Sequence, residues 1–360
     1  MRERRATLLL LLLLGSLPLV LIQSVGSGIV DIGFTDSLLA LAHGAGLPVA
    51  TPDPQHQLIL NAIRWPRTLL AALVGACLAM CGAAMQGLFR NPLADPTLIG
   101  VSSGAAVGAS VAIVLGATLL AGLSEFVSGY LGGMSGVLNA YLISLFAFTG
   151  GFMATLLVYR LGTSSHGTSV GTMLLAGIAI NALAAAITNA FSYVADDVAL
   201  RRITLWRMGS LDGANWQSVT IAATLMTAVL LCLPRYSNAL NALLLGESEA
   251  RHLGVPVERV KWQLIAWTAL GVGVAVSVSG VIGFVGLVVP HLVRLMIGPD
   301  HRSLMPAAAL LGAILLVLAD SVSRTVAAPA EIPIGIVTAL LGAPFFISLL
   351  LQQRQRMLLQ

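Results

Sequence analysis

The side chains of this sequence that could hold a metal, attack a substrate or carry a proton are six histidines, three cysteines and fifteen acids. His43, His56, His166, His252, His291 and His301 show no ligand spacing such as His-x-x-x-His, and no Gly-x-x-x-x-Gly-Lys-Ser phosphate loop is present. Cys77 and Cys81 would share one helix face, so a thiolate metal pair is conceivable. Both lie in apolar runs, as does Cys232, and small residues packing between helices is the favoured reading. Asp320 is the one carboxylate well inside an apolar segment. Proton- or sodium-coupled carriers keep several ionisable groups at mid-membrane, so this scarcity argues against ion coupling. No catalytic constellation emerges. A nucleotide that drives this protein must be bound by another chain.

The elements that position these residues are membrane helices. Charged residues make up 9% of the chain, against roughly 25% in globular domains. Hydrophobic residues make up 57%, and the mean hydropathy is +0.93. A soluble chain of 360 residues could not cover its surface with so few charges. The pI of about 9.3 does not indicate nucleic acid, because the basic residues sit singly at the ends of apolar runs. The start, MRERRATLLLLLLLGSLPLV, imitates a signal peptide, but no convincing Ala-x-Ala site follows, and an uncleaved first helix is expected.

A bilayer core of about 30 Å needs about 20 helical residues. On that ruler ten spans are expected, near 6–25, 67–88, 98–121, 137–160, 171–193, 216–234, 262–282, 284–297, 305–327 and 332–352. The fold class is therefore an all-α polytopic membrane protein, with residues 1–360 forming a single transmembrane domain. The eighth span is short and marked by Gly283, Gly286 and Pro290. With both termini in the cytoplasm, thirteen Arg and Lys residues fall inside and six outside (Arg64, Arg67, Arg201, Arg202, Arg207 and Arg324), as the positive-inside rule requires.

Three features stand out from the apolar background. The first is a hairpin from Arg64 to Ala105, whose two apolar arms flank the break Arg90-Asn91-Pro92-Leu93-Ala94-Asp95-Pro96. Its two prolines stop a helix from crossing. The second is the outer loop 194–215, with a short amphipathic stretch, ALRRITLWRMGSL. The third is the inner segment 235–261, which reads as two short helices broken at Gly246 and closed by Gly254. This knuckle suits docking into a groove on a soluble subunit, although an interfacial helix lying on lipid headgroups would share its composition. Glycines within the spans imply close helix packing and broken helix ends lining a conduit.

Six blocks make the reading specific: RWPRTLLAALVGACLAMCGAAMQGLFRNPLADPTLIGVSSGA (64–105), LLAGIAINAL (174–183), WRMGSLDGANW (206–216), the knuckle, GFVGLVVPHLVRL (283–295) and IPIGIVTALLGAPFFISLLL (332–351). In this order, over about 290 residues, they resemble the FecCD family of iron-chelate, haem and cobalamin importer permeases. The resemblance implies a type II ABC importer membrane subunit of the bacterial inner membrane, with ten helices and both termini cytoplasmic. It also implies partners: a second copy of the chain as a homodimer, two cytoplasmic ATPase subunits and a periplasmic substrate-binding protein. No cofactor is expected on this chain; ATP and Mg would be bound by the ATPases.

The resemblance assigns roles by position. Arg64, Arg67 and Arg324 match the binding-protein docking arginines, and outer guanidiniums could pair with carboxylates of a soluble partner. Gly246, Glu247, Glu249, Ala250, Arg251, Leu253 and Gly254 match the ATPase-coupling helices. Asn91 and Leu93 in the break, and Thr168 and Ser169 before the fifth span, resemble the cytoplasmic gate. Asn181, Asn189 and Met173 are candidate pathway residues, with interhelical bonding or core packing as the alternative for each. His291 could ligate haem iron, but the family carries a Pro-His pair there generally, which favours packing. The expected cargo is a metal chelate, with haem favoured because the GESEARHLGV and IGPDHR segments resemble the haem-permease branch. Ferric siderophore and cobalamin are the alternatives within the family. An ion-coupled secondary carrier and a non-transporting scaffold are the rivals of other classes.

Overall fold

The computed structural model describes residues 2–358 except 29, 31, 34, 36, 40, 41, 43–52, 131–134 and 166. For 2, 117–130, 135–140, 349, 350 and 352–358 the description is of the backbone alone. His43, His166 and part of the stretch 26–66 between the first two expected spans lie outside the described residues.

The helices in chain order are α1 (Arg2–Gly26), α2 (Pro54–Ile59), α3 (Trp65–Leu88), α4 (Val101–Tyr130), α5 (Ser135–Gly162), α6 (Val170–Val194) and α7 (Asp197–Met208). There follow α8 (Trp216–Cys232), α9 (Ser237–Leu243), α10 (Glu247–His252), α11 (Val257–Ser279), α12 (Val285–Ile297), α13 (His301–Thr325) and α14 (Ile334–Leu358). Each of the ten expected spans corresponds to one of α1, α3, α4, α5, α6, α8, α11, α12, α13 and α14. Seven of the described helical segments are long and apolar enough to cross a membrane, and three shorter apolar ones are Val101–Gly116, Val285–Ile297 and Ile334–Ser348.

The centre of the bundle is α3, buried along nearly its whole length and packed against α13, α11, α12 and α8. Two glycine contacts bring its neighbours in. A Cβ on Gly75 would strike the carbonyl of Gly312 on α13, and one on Gly82 would strike the carbonyl of Gly286 on α12. Two turns outward from the Gly75–Gly312 crossing, in antiparallel register, lie Arg67 and Asp320.

The second span begins earlier than its prolines suggest. A π-helical turn, Leu60–Arg64, joins α2 to α3, so the helix runs from Pro54 to Leu88. Trp65 N–H bonds the carbonyl of Leu60 in this five-residue pattern. Pro66 has no N–H to continue it onto Asn61, and the indole N–H of Trp216 takes that carbonyl instead, at 2.7 Å. A neighbouring span thus supplies the missing donor.

The polar break after α3 is a built turn. Arg90 takes a positive φ of 50°, and the N–H of Leu93 bonds the Asn91 side chain at 2.9 Å. Asp95 caps a 3₁₀ turn, Pro96–Ile99, by accepting from Thr97 N–H at 2.8 Å, and Gly100 at φ +82° turns the chain into α4. The knuckle forms as its glycines predict. Gly246 (φ +126°) separates α9 from α10, and Gly254 (φ +82°) follows α10.

Candidate functional site

At the outer end, two helices deliver three buried arginines: Arg64 and Arg67 from the helix that continues as α3, and Arg324 from α13. Asp320, fully buried on α13, accepts from Arg67 Nε at 2.9 Å, and its second oxygen lies 3.0 Å from Arg324 Nε. That second contact is an ion pair without hydrogen-bond alignment. Arg67 Nη1 also pairs with Glu331 at 2.8 Å and lies 3.6 Å from Asp212. Arg324 donates to the carbonyls of Ser27 at 2.8 Å and Ser24 at 3.1 Å. Arg64 donates to the carbonyls of Val25 at 2.9 Å, Gly26 at 2.7 Å and Val30. Two guanidiniums therefore compensate one buried carboxylate, whose charge would be costly to bury alone in an apolar bundle. The remaining donors tie down the outer end of α1.

The sequence places Arg64, Arg67 and Arg324 on the outer side as surface cations. They do lie at outer helix ends, yet each is only 5% exposed. The groups that reach solvent here are acidic: the side chain of Asp212 is 77% exposed and that of Glu331 34%. Neither stood out in the sequence, since a single acid in an outer loop carries no pattern.

At the inner end, the knuckle and the loop before α6 meet through a residue that sequence reasoning missed. The loop before α6 is a two-residue hairpin, β1 (Thr163–Ser164) paired antiparallel with β2 (Gly167–Thr168). Lys261, 2% exposed near the start of α11, donates to the Thr168 carbonyl at 2.7 Å, to Glu247 at 2.7 Å and to Glu258 at 3.2 Å. Glu258 in turn accepts from Thr168 N–H at 2.8 Å, and Arg251 lies 3.8 Å from Glu247 and 3.6 Å from Glu258. Ser169 caps α6 by accepting from Thr172 N–H. Ala250 is buried under the knuckle, whereas Leu253 is exposed beside Gly254.

The other side of the knuckle is tied to α13. Asn241 Nδ2 donates to Asp300 at 2.6 Å, its Oδ1 accepts from His301 N–H at 2.9 Å, and Arg302 Nε donates to Asn238 at 2.6 Å. Asp300 caps α13 by accepting from Arg302 N–H at 3.0 Å. Its partial burial would raise the carboxyl pKa, but the bonds from Arg302 and Asn241 and the Arg302 charge outweigh this and hold it below the ordinary value.

The remaining predicted residues separate. Asn91 and Leu93 lie in the break, and Leu93 lies near His291 and Phe345. Met173 is 1% exposed, packed against Gly162 in the core. Asn189 is exposed on α6, while Asn181 faces a recess between α4 and α6. His291 is buried edge-on against Phe345, ring centroids 6.4 Å apart. Cys77 and Cys81 pack against Gly271 of α11, and no group of three metal-ligating side chains occurs among the described residues.

The model of the FecCD transport family matches residues 11–352. The chain belongs to the FecCD transport family. It is 45% identical over 307 residues to the hemin transport system permease protein HmuU of Yersinia pestis, covering 85% of this chain and 87% of that protein. It is 42% identical over 320 residues to the cobalamin import system permease protein BtuC of Halobacterium salinarum, covering 89% and 80%. A solved inward-facing structure assigned to a metal-chelate type ABC transporter superposes with a TM-score of 0.79 at 33% identity, covering 95% of this chain and 98% of that one. As a FecCD protein with this fold, the chain is a multi-pass inner-membrane permease subunit of a type II ABC importer, and ATP hydrolysis resides on a separate subunit. The ion-coupled carrier and the passive scaffold fall away.

Proposed function

We propose that this permease imports haem from the periplasm to the cytoplasm by alternating access at the interface of a homodimer. The supporting observation is the 45% identity to a hemin permease across most of both chains. Two ATPase subunits below and a periplasmic binding protein above would complete the transporter. A second reading, cobalamin import, draws on the 42% identity to a cobalamin permease. Uptake by proteoliposomes holding the permease, its ATPase and its binding protein separates the two. ATP-driven entry of haem but not cyanocobalamin is expected, and the reverse would overturn the haem reading.

On this reading Arg64, Arg67 and Arg324 form the docking platform. Carboxylates of the binding protein take the place of Asp212 and Glu331 on Arg67, while Arg64 and Arg324 hold the rim in position. At the inner end the ATPases engage Gly246, Glu247, Glu249, Ala250, Arg251, Leu253 and Gly254. Lys261 carries their movement to Thr168 and Ser169 at the start of α6, and Asn91 and Leu93 belong to the same gate.

A further inference from the structure

Between α4 and α6, beside the end of α7, lies a recess of about 300 Å³ whose lining includes Ser102, Ser103, Asn181, Thr188 and Arg207. Its chemistry departs from the chain around it. Thr188 is 2% exposed, yet its Oγ1 has no hydrogen-bond partner. Other helical threonines here, including Thr220, Thr224 and Thr325, bond back to the carbonyl four residues earlier. Thr188 forgoes that bond and lines the recess. A buried hydroxyl left unpaired is costly and points to an absent acceptor.

The other groups around the recess are donors as well. Ser103 Oγ bonds Asn181 Oδ1, which leaves the amide N–H groups of Asn181 unspent. Ser102 and Ser103 occupy the first turn of α4, where unsatisfied backbone N–H groups and the helix dipole favour negative charge. Arg207 makes no ion pair or hydrogen bond with any described residue, unlike Arg64, Arg67 and Arg324. No carboxylate lines the recess. The larger cavity of about 670 Å³, between α5, α7, α8 and α11, differs: its wall includes Phe148, Trp206, Ile221 and Leu225, and Asp212 lies on it.

From this geometry we infer that the recess is an anion subsite on the translocation path, taking a carboxylate of the chelate in transit, with Thr188, Asn181 and Arg207 as its donors. The inference rests on the chelate-import reading and adds to it a substrate class, a chelate bearing at least one free carboxylate. Such a site would orient an amphiphilic cargo in an otherwise apolar conduit, its anionic edge toward α4 and α6.

The test uses the permease–ATPase complex in nanodiscs, titrated with protoporphyrin IX and with its dimethyl ester by fluorescence. The diacid is expected to bind the wild type, and Thr188→Val and Arg207→Gln each to weaken it roughly tenfold, the loss typical of one charge-assisted hydrogen bond. The diester should bind equally to all three proteins. Arg207 is exposed and unbonded to any described residue, so Arg207→Gln keeps the test sharp even if Thr188→Val folds poorly. Absence of diacid binding to the wild type, or affinities unchanged by both variants, overturns the subsite. ATP-driven haem uptake by the wild type reports separately on the proposed cargo. If uptake fails while diacid binding depends on Arg207, the haem reading falls and the subsite stands. If uptake succeeds while diacid and diester bind alike, the subsite falls.

Discussion

Arg67 and Asp320, 253 residues apart in sequence, meet at 2.9 Å between α3 and α13, with Arg324 on the carboxylate's far side. The pairing makes the outer end of the bundle a single piece. It joins α3 and α13 directly, the outer end of α1 through Arg324, and the start of α14 through Glu331.

Arg67→Ala leaves Asp320 with one misaligned partner in a buried site. A loss of roughly 3–5 kcal/mol is expected, seen as a fall in the unfolding temperature of the detergent-purified protein. Asp320→Asn should also be costly, because it leaves the buried guanidiniums of Arg67 and Arg324 without the carboxylate between them.

Glu331→Gln with Asp212→Asn removes the two solvent-reaching acids that compete for Arg67. Binding-protein association should tighten severalfold, and the gain should shrink as salt rises. Surface plasmon resonance at two ionic strengths measures both effects; weaker association would count against docking on Arg67.

Lys261→Met keeps the length of the side chain but severs Glu247 from the Thr168 carbonyl. Reconstituted transporters should keep most of their ATP hydrolysis and lose most of their uptake. Loss of both in equal proportion would mean that Lys261 only supports folding.

Asp300 is held below the ordinary carboxylate pKa by Arg302 and Asn241. A depressed folded value stabilises the protein above the unfolded pKa of about 3.9 and is lost as pH falls through the folded value. In Asp300→Asn the fall in unfolding temperature between about pH 5 and pH 3 should be shallower than in wild type. A parallel pair of curves would show that the cap does not contribute.

Gly75→Val brings a branched side chain into the carbonyl of Gly312. Helices α3 and α13 must then separate, so the variant should express poorly or elute as aggregate in size-exclusion chromatography. A protein that elutes and melts like wild type would show that this crossing tolerates more space than the backbone contact implies.

The spans, the break at Arg90–Pro96 and the two-helix knuckle were legible because each depends on local chemistry. Apolar length decides a span, proline and glycine decide where it stops, and Gly246 and Gly254 adopt backbone angles that other residues resist. The π-helical entry to α3 was not legible, since the carbonyl freed at Asn61 is answered by Trp216 from another span. Arg64, Arg67 and Arg324 were visible as outer basic residues, but their burial and their carbonyl and carboxylate partners were not. The recess around Thr188 left no trace beyond Asn181, because Ser102, Thr188 and Arg207 belong to three different helices.

The amino-acid sequence by itself determined that this chain is a ten-span membrane permease with its basic residues mainly on the cytoplasmic side, because hydropathy, charge and backbone preference act within one helix or turn. Only the tertiary structure decided that Asp320 lies between two arginines, that Lys261 joins the knuckle to the Thr168 hairpin, and that Thr188 lines a donor-rich recess. Those pairings depend on how closely helices approach. Contacts such as Gly75 on Gly312 set that distance across more than two hundred residues of intervening chain, beyond the range of any local pattern.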